Sequence, residues 1–587
     1  MLYMKISDPR RFPFIEPPPE ASIDEALQRL QDLGAVQTSS AAVSALGEML
    51  VRLPVDLAIG KLLIMGCLFR RVEIMLVSAA ALSIQSLFTN RSFRDSDCIA
   101  LRRELVSNIG DAFGYINVYR AWLELKADYT ASTKKWCFRR GIEEQRLYEM
   151  SKLCKQFKEL LEDANLMEKF EEHMLPHERR MRHGELQQLR ELKRKHRNVR
   201  KERKVLRIDK MDTVMPEGDE HEADADPLGD LHSVEFRMQH SDRAVRENLE
   251  YLDLDSGTAV LIKLMLGVSL YPQYAVLDAH NSFKPGGEIF AHTSSKPFVI
   301  LHPNSCLAQE PDNLIVDVDE SNASRSHQVL FYFTLLETNK CYLVNSVRAP
   351  ALHSLLLMAA SLETSQDCCR VLCDHWIEFC AKEPPLAQHL LTLAFEIRRE
   401  IEDCMQKKLG GLSYHGGKLI PKILDYFDTD VSYSMRRVAR VELQSLYSEM
   451  SIPVTKLPLK FQQLIEENKL DSVRENPTKG GWFLSDYLIY GCLSAKEGSA
   501  SESDENLQCK WVCPKCKDEL WLTGLEKVQH LSDCGKSESK IEDEAKASVS
   551  SGAQALQKQY YCDICMETLI MSSIDILKHK KSHRSKS

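Results

Sequence analysis

The sequence predicts a multidomain protein that is mainly α-helical and contains one small β-barrel. Between Asp56 and about Asn165, apolar residues recur three and four positions apart, as on the buried face of a helix. From about Thr258 to Pro350, short β-rich runs between turn residues replace that pattern. Near the C-terminus, two groups of cysteine and histidine have the spacing of zinc ligands. A chain of 587 residues has room for roughly four domains of about 150 residues.

The composition indicates a soluble protein in a reducing compartment. Hydrophobic residues make up 44% of the chain and charged residues 27%, and the net charge of −9 does not by itself indicate nucleic acid. Most cysteines are scattered singly and no export signal is visible, which argues against disulfides. The most apolar stretch, Leu57 to Phe88, is interrupted by charged residues, so we expect no membrane span and no membrane partner.

The first segment, residues 1–55, combines a proline-rich strap with two short helices. Five prolines in the twelve residues DPRRFPFIEPPP predict an extended connection with no room for a catalytic constellation. Ser22 and Glu25 have the spacing of a capping box, and Gly34 is placed to end the first helix. A second helix is expected at roughly Ala41 to Leu50. Two such helices suit a small winged-helix unit.

The next two segments differ sharply in composition. Residues 56–165 predict a helical bundle, with Trp122 and Trp136 in its core. Residues 166–245 predict a charged, partly disordered insertion. From Arg179 to Lys210 it has fourteen Lys and Arg against four Asp and Glu, and an acidic stretch follows. The basic block either contacts RNA, acts as a nuclear signal, or folds back on its acidic neighbour.

The remainder predicts a barrel, a helical region and a zinc-binding tail. In residues 246–350 the β-rich runs suit an OB-fold. They are Tyr274 to Leu277, Phe298 to Leu301, Val329 to Leu336 and Tyr342 to Val347. Residues 351–493 predict a mostly helical region, with helical patterning from Leu352 to Leu409. Residues 494–587 predict linkers and two zinc fingers.

Several stretches of this chain resemble DEAH-box RNA helicases. The proline-rich strap resembles the junction after the second ATPase lobe of that family. LPVDLAIGKLLI, AAALSIQSLF, NVYRAW and WCFRRGIEEQRL look like its winged-helix and helical ratchet domains. LYPQYA, LHPNSCL and LLETNKCYLVNSV look like its OB-fold. One motif departs from the family pattern: its HPSS-like sequence is His302-Pro303-Asn304-Ser305 here.

The resemblance implies that single-stranded RNA is a partner. In this family the winged helix, ratchet and barrel line the exit side of an RNA channel, and cationic grooves follow the backbone of single strands. The residues that we expect to contact RNA are Arg139, Arg140, Arg146, Lys296, His302 and Ser305. For the four cationic residues among them the alternative is an ordinary charge on the surface.

The sequence contains no nucleotide-binding or other catalytic motif. Gly60-Lys61 lacks the upstream glycine of a phosphate-binding loop, and in GLSYHGGK a leucine follows where the magnesium ligand should be. DEAH and arginine-finger motifs are also missing. We therefore assign no catalytic residues and expect no ATP hydrolysis by this chain alone. ATP and magnesium become cofactors only if an upstream ATPase half exists.

The strongest local chemistry lies in two zinc-ligand sets near the C-terminus. Cys-x2-Cys pairs are followed after thirteen residues by His-x3-Cys in the first set and His-x3-His in the second. Four such ligands complete a tetrahedron with no open position, so we expect two structural zinc ions. The ligands are Cys513, Cys516, His530 and Cys534 in the first site and Cys562, Cys565, His579 and His583 in the second.

These observations support three functional hypotheses. The first is the RNA-binding and partner-docking C-terminal half of a DEAH-box helicase. The resemblance suggests partners in messenger RNA decay or processing and a role in mRNA surveillance by nonsense-mediated decay. The second is a non-enzymatic scaffold with incidental RNA affinity, and the third is a zinc-finger regulator that binds DNA. We expect a monomer in the cytoplasm, the nucleus or both.

Overall fold

The computed structural model describes most of the first 438 residues and separate strands beyond them. With gaps of one or two residues, the described ranges are 10–36, 43–128, 132–168, 227–279, 288–316, 322–411 and 416–438. Later described segments are 474–475, 482–485, 509–513, 519–522, 557–562 and 567–572, and a few single residues are also described. The chain divides into two compact units, Met1–Ala495 (unit 1) and Lys496–Ser587 (unit 2).

Unit 1 begins with two short helices in the predicted places. Helix α1 spans Glu20–Asp32, and Gly34 takes a φ of +76° just after it. The predicted capping box at Ser22 is wrong, because the helix begins two residues earlier, after Pro19, with no side-chain cap. Helix α2 spans Ala45–Arg52, and the hydroxyl of Ser44 accepts a hydrogen bond from the Gly47 N–H at 3.0 Å.

A bundle of helices follows, as the apolar periodicity predicts. Both α3 and α4 are buried on nearly all sides, and α4 packs against α3, α6 and α8. Trp122 of α6 is completely buried, as predicted, whereas Trp136 of α7 is half-buried. The helices are α3 Leu57–Leu68, α4 Val72–Ser83, α5 Ser96–Arg102, α6 Asp111–Asp128, α7 Thr133–Arg139 and α8 Glu144–Asp163.

Three helices then return the chain to this bundle. They are α9 Pro227–Gln239, α10 Asp242–Tyr251 and α11 Ser256–Leu270. The ring of Phe236 in α9 meets the Trp122 ring edge-on at 5.1 Å, so the end of the predicted insertion is part of the folded bundle. Most of the basic block lies outside the described residues.

A closed five-stranded barrel follows α11. The strands are β1 Tyr274–Leu277, β2 Phe290–Thr293, β3 Val299–Leu301, β4 Gln328–Glu337 and β5 Cys341–Pro350. Their order is β1-β2-β3-β5-β4, and β4 pairs with β1 to close the barrel. Four of these strands were predicted and β2 was not. The short helix α12, Cys306–Gln309, follows β3.

The region after the barrel mixes helices with a sheet. Helix α13 spans Ala351–Met358, α14 spans Pro384–Leu409 and α15 spans Ile420–Asp428. The prediction of helix from Leu352 to Leu409 is wrong in its middle part, because strands separate α13 from α14. The six-stranded sheet has the order β10-β11-β6-β7-β8-β9. Its strands are β6 Leu362–Thr364, β7 Arg370–Cys373, β8 Ile377–Ala381, β9 Tyr433–Arg437, β10 Arg474–Glu475 and β11 Trp482–Ser485.

Unit 2 contains two antiparallel hairpins. The first pairs β12, Cys509–Val512, with β13, Glu519–Leu522. The second pairs β14, Gln557–Cys562, with β15, Glu567–Ser572. None of the helices that the structure describes in either unit is both long and apolar enough to span a membrane.

Candidate nucleic-acid interface and zinc modules

A buried carboxylate joins the barrel to the helical bundle. Asp111, the first residue of α6, accepts hydrogen bonds from the Ser305 hydroxyl at 2.9 and 3.0 Å. Its carboxylate also accepts from the backbone N–H of Cys306 at 2.6 Å and of Ser346 at 2.8 Å. One side chain of the bundle therefore holds both the loop after β3 and the middle of β5.

The backbone at this junction leaves no room for a side chain. Gly110 has a φ of +146° and forms a β-bridge with Val347. A Cβ added to Gly110 would lie 2.4 Å from the carbonyl oxygen of Ser346. The close approach of α6 to β5 therefore depends on glycine at this position.

The electrostatics of the junction reflect its burial. Burial raises the pKa of Asp111, and the hydrogen bonds from Cys306, Ser346 and Ser305 oppose that rise. Arg102, at the end of α5, is also fully buried, with its guanidinium 4.4 Å from the centre of the Phe88 ring. Burial lowers the pKa of Arg102, and the nearby Cys306 and Asp111 act in the opposite direction.

Two of the predicted RNA-contacting residues, Ser305 and His302, lie at this junction. The Ser305 hydroxyl is buried and donates to Asp111, so it holds the loop after β3 against α6. The His302 ring is half-buried and meets the Tyr342 ring edge-on at 5.6 Å. Its Nδ1 accepts from the Asn304 N–H at 3.2 Å, and burial lowers its pKa. A neutral His302 therefore shapes the loop at pH 7, and RNA contacts by either residue remain predictions.

Exposed and half-buried cations alternate with aromatic rings around α7. Phe138 is 65% exposed, and the guanidinium of Arg91 lies 4.4 Å from the centre of its ring. The guanidinium of Arg140 lies 4.7 Å from the Trp136 ring, and Arg139 is exposed beside them. We call these five residues the α7 patch. Cations stacked on aromatic rings suit a surface that meets both the phosphates and the bases of a single strand.

The other two predicted RNA-contacting residues already have acidic partners. Arg146 donates to Glu149 at 2.9 Å and also contacts Glu143 and Gln85. It thereby ties the start of α8 to the loop after α4. Lys296, in the turn between β2 and β3, forms an ion pair with Glu337 of β4. Both must exchange these contacts to bind a phosphate, whereas Arg139 has its side chain in solvent.

Sequence reasoning missed three members of the α7 patch, because Trp136 was predicted to lie in the core and neither Phe138 nor Arg91 was among the predicted RNA contacts. Phe138 follows the core residue Cys137 in a segment predicted to form the helical bundle, yet its ring faces solvent. Arg91 lies in the loop after α4, far from α7 along the chain, where nothing marks it. The alternation of aromatic and basic residues in WCFRR was the available signal for Phe138.

Gly60 and Lys61 lie inside a helix and form no phosphate-binding loop. Both belong to α3, and Lys61 is completely buried there. Burial lowers its pKa to about 7. This placement agrees with the exclusion of Gly60-Lys61 as a nucleotide site.

The first cysteine of each predicted zinc site lies at the end of the first strand of a hairpin in unit 2. Cys513 follows β12 directly and is buried, and Cys562 is the last residue of β14. Lys517 takes a φ of +62° and donates its N–H to the Cys513 carbonyl at 2.9 Å, which closes the first turn tightly. The position of Cys513 at the start of this turn is compatible with its predicted role as a zinc ligand. The other six predicted ligands, Cys516, His530, Cys534, Cys565, His579 and His583, lie outside the described residues.

Two family models match this chain. Residues 262–362 match an oligonucleotide/oligosaccharide-binding (OB) fold, which confirms the predicted OB-fold. Residues 559–583 match a DHX34-like, C2H2-type zinc finger, and this segment contains all four ligands of the second predicted site. The second finger is therefore supported by a family model in addition to its spacing.

Several curated proteins are similar to this chain. The human protein named probable ATP-dependent RNA helicase DHX34 is 36% identical over 628 residues, which cover 99% of this chain. The mouse protein of that name is 35% identical, also over 99% of this chain. A putative ATP-dependent RNA helicase, ucp12, of Schizosaccharomyces pombe is 36% identical over 26% of the chain. The chain spans 54% of the human and 53% of the mouse protein, about half of each. Over nearly all of its own length, the chain is therefore homologous to proteins named probable ATP-dependent RNA helicase DHX34.

Proposed function

We propose that this chain is the RNA-binding and partner-docking C-terminal portion of a DEAH-box RNA helicase. The observation that carries this proposal is the OB barrel in a chain similar over 99% of its length to proteins named RNA helicases. Hydrogen bonds to Asp111 join the barrel to the helical bundle, so the two lie side by side. A single RNA strand binds along their surface, and the α7 patch contacts its phosphates and bases.

The α7 patch makes a testable contribution to this binding. We expect the purified chain to bind a 12-nucleotide single-stranded RNA in a salt-sensitive manner, without hydrolysing ATP. Replacing Arg139 and Arg140 together with alanine removes two cations and should lower the slope of log affinity against log salt by about 1.4. Fluorescence anisotropy at several salt concentrations measures the slope, and a phosphate-release assay measures hydrolysis.

A matched variant removes two cations elsewhere. Arg29→Ala with Lys407→Ala takes one charge from α1 and one from α14 and should leave the slope within about 0.3 of the starting value. An equal loss of slope in both double variants would mean that net charge, and not the α7 patch, drives binding. Clear ATP hydrolysis by the pure chain would contradict the proposal that this portion binds RNA without ATPase activity.

The zinc content tests the two C-terminal modules. We expect two zinc ions per chain, each held by a Cys-x2-Cys pair and by two further ligands downstream. Cys565→Ser should leave one ion and Cys516→Ser should also leave one, because each change removes one ligand of a single site. Elemental analysis of the pure protein gives the ratio. A content of one zinc in the unaltered chain would eliminate the first site, which lacks a family match.

We further propose that the zinc modules dock proteins of messenger RNA decay and that the chain acts in nonsense-mediated decay. One support is the similarity to proteins named RNA helicases. The other is the pair of acidic residues Glu526 and Asp533 within the first predicted finger, which suit protein contact better than phosphate contact. The protein is then active as a monomer in the cytoplasm, the nucleus or both. The same two serine variants should capture fewer decay proteins while RNA affinity stays within about twofold. Unchanged capture by both variants would rule out docking through the fingers.

A further inference from the structure

An exposed aromatic ring stands at the tip of the β2–β3 hairpin of the barrel. Phe298 is 63% exposed, directly before the fully buried Val299. Most large apolar side chains in the described residues are buried, because burial removes their surface from water. The turn thus places an aromatic ring in solvent at the rim of a fold whose family name includes oligonucleotide binding.

The backbone of Phe298 is in an unfavourable conformation. Its φ is +55°, in the left-handed region that residues with a Cβ rarely occupy. Glycine or asparagine would fit this position with less strain. Such strain persists where surrounding interactions enforce it, and it is frequent at binding sites.

Hydrogen bonds behind the ring enforce this conformation. The Phe298 N–H donates to Nδ1 of His292 at 3.3 Å. Since this N–H is a donor, Nδ1 must accept, and Nε2 must carry the ring proton and donate to Asp278. His292 is buried, and its ring meets the Phe298 ring edge-on at 5.0 Å. Asp278, His292 and Phe298 therefore form one connected support.

The turn in front of the ring is equally well fixed. The Lys296 N–H donates to the Thr293 hydroxyl at 2.9 Å, and the Thr293 N–H donates to the Lys296 carbonyl at 2.9 Å. The ring of Phe290 meets Phe298 edge-on at 6.1 Å and limits its rotation. One face of the exposed ring is thus available, with the cation of Lys296 two residues away.

We propose that Phe298 is a stacking platform for one base of a single-stranded RNA, held in place by His292 and Asp278. This inference rests on the proposed RNA binding and adds a residue to it. A fixed, exposed ring loses little conformational freedom when it stacks on a base, and Lys296 reaches the backbone phosphate by exchanging its ion pair with Glu337. Glycine at this position would give the turn an easier backbone, yet it would remove the platform.

The test compares two RNAs and three variants of the full chain. Phe298→Gly should weaken binding of a mixed-sequence 12-nucleotide RNA by about 5- to 150-fold, the range for loss of one stacked base. Binding of an oligomer with abasic positions throughout should not change, because that oligomer has phosphates but no bases to stack. Phe298→Trp should keep binding within about threefold. Tyr251→Ala, which removes an aromatic ring that is also 63% exposed, should leave both affinities unchanged.

Stability provides an independent readout of the same variants. Phe298→Gly should melt at the same or a higher temperature than the unaltered chain, because glycine removes the strain at φ +55°. A structural role for the ring would instead lower the melting temperature together with binding of both oligomers, and would overturn the inference. Unchanged binding of the base-containing RNA would also overturn it while leaving the proposed function intact. If the unaltered chain binds neither oligomer, the proposed function and this inference both fail.

Discussion

Replacing Asp111 with alanine should destabilise unit 1 by about 3–5 kcal/mol, the expected cost of removing one partner from a buried charged hydrogen-bond network. The change leaves the Ser305 hydroxyl and the N–H groups of Cys306 and Ser346 without their acceptor, in a place that water does not reach. Each buried donor without a partner costs about 1–3 kcal/mol. Urea unfolding followed by circular dichroism measures the difference.

Two further variants distinguish destabilisation by loss of the hydrogen-bond network from destabilisation by loss of any carboxylate side chain. Asp111→Asn keeps the shape and one acceptor oxygen but turns an amide group toward N–H donors. Its loss of stability should therefore be smaller than that of Asp111→Ala but greater than zero. Asp97→Ala removes an exposed carboxylate near the start of α5 and should cost less than about 1 kcal/mol. If Asp111→Ala costs no more than Asp97→Ala, the carboxylate does not hold the barrel to the bundle.

The junction at Asp111 also shows what the sequence could not predict. Asp111 is separated from Ser305 by 194 residues and from Ser346 by 235. Each residue alone is ordinary: an acidic residue at a helix start and a serine in a loop. The hydrogen bonds arise when the barrel packs against α6, and no local pattern records that packing. The contact between Arg91 and Phe138 is also non-local, and no local pattern in the sequence indicated it.

Local patterns succeeded where one face of an element is buried. Strands β4 and β5 are long and paired along their length, so their β-rich runs were visible in the sequence. Strand β2 was missed because Phe290–Thr293 is short and buries His292, a polar residue that signals no strand. The strands within Leu362–Ala381 are three to five residues long and largely buried on both faces. Short, fully buried strands have no alternation, and periodicity cannot distinguish them from a buried helix.

For the candidate site, the sequence predicted the types of residue better than it predicted what each residue contacts. Arg139 lies exposed in the α7 patch, as an RNA contact requires, whereas Arg146 from the same stretch is held by acidic neighbours. Ser305 anchors a loop. Phe298 was predicted only as the start of a strand and not as a site residue. Its exposure follows from a turn conformation that the hydrogen bond to His292 enforces. Zinc spacing, by contrast, is a local property, and the second finger was recognised from it.

Asp374 is the second buried carboxylate whose loss should be severe. It accepts hydrogen bonds from the hydroxyls of Tyr271 and Tyr274, both at 2.9 Å, and from the N–H groups of Ala360 at 2.9 Å and Ser361 at 3.2 Å. The network joins the end of α11, strand β1 and the turn after β7, so it ties the barrel to the C-terminal sheet. Asp374→Ala should destabilise unit 1 by about 3–5 kcal/mol for the reasons given for Asp111.

The backbone at Asp374 requires its own control. Its φ of +50° lies in the left-handed region, where alanine adds a cost of about 1–2 kcal/mol that is unrelated to the hydrogen bonds. Asp374→Gly removes the carboxylate without that strain, and Asp374→Asn tolerates the conformation while keeping one acceptor. We therefore expect the largest loss of stability for Asp374→Ala, a smaller loss for Asp374→Gly and the smallest for Asp374→Asn, measured by urea unfolding. If the glycine variant is as stable as the unaltered chain, the alanine effect comes from backbone strain. The carboxylate would then not be what ties the barrel to the sheet.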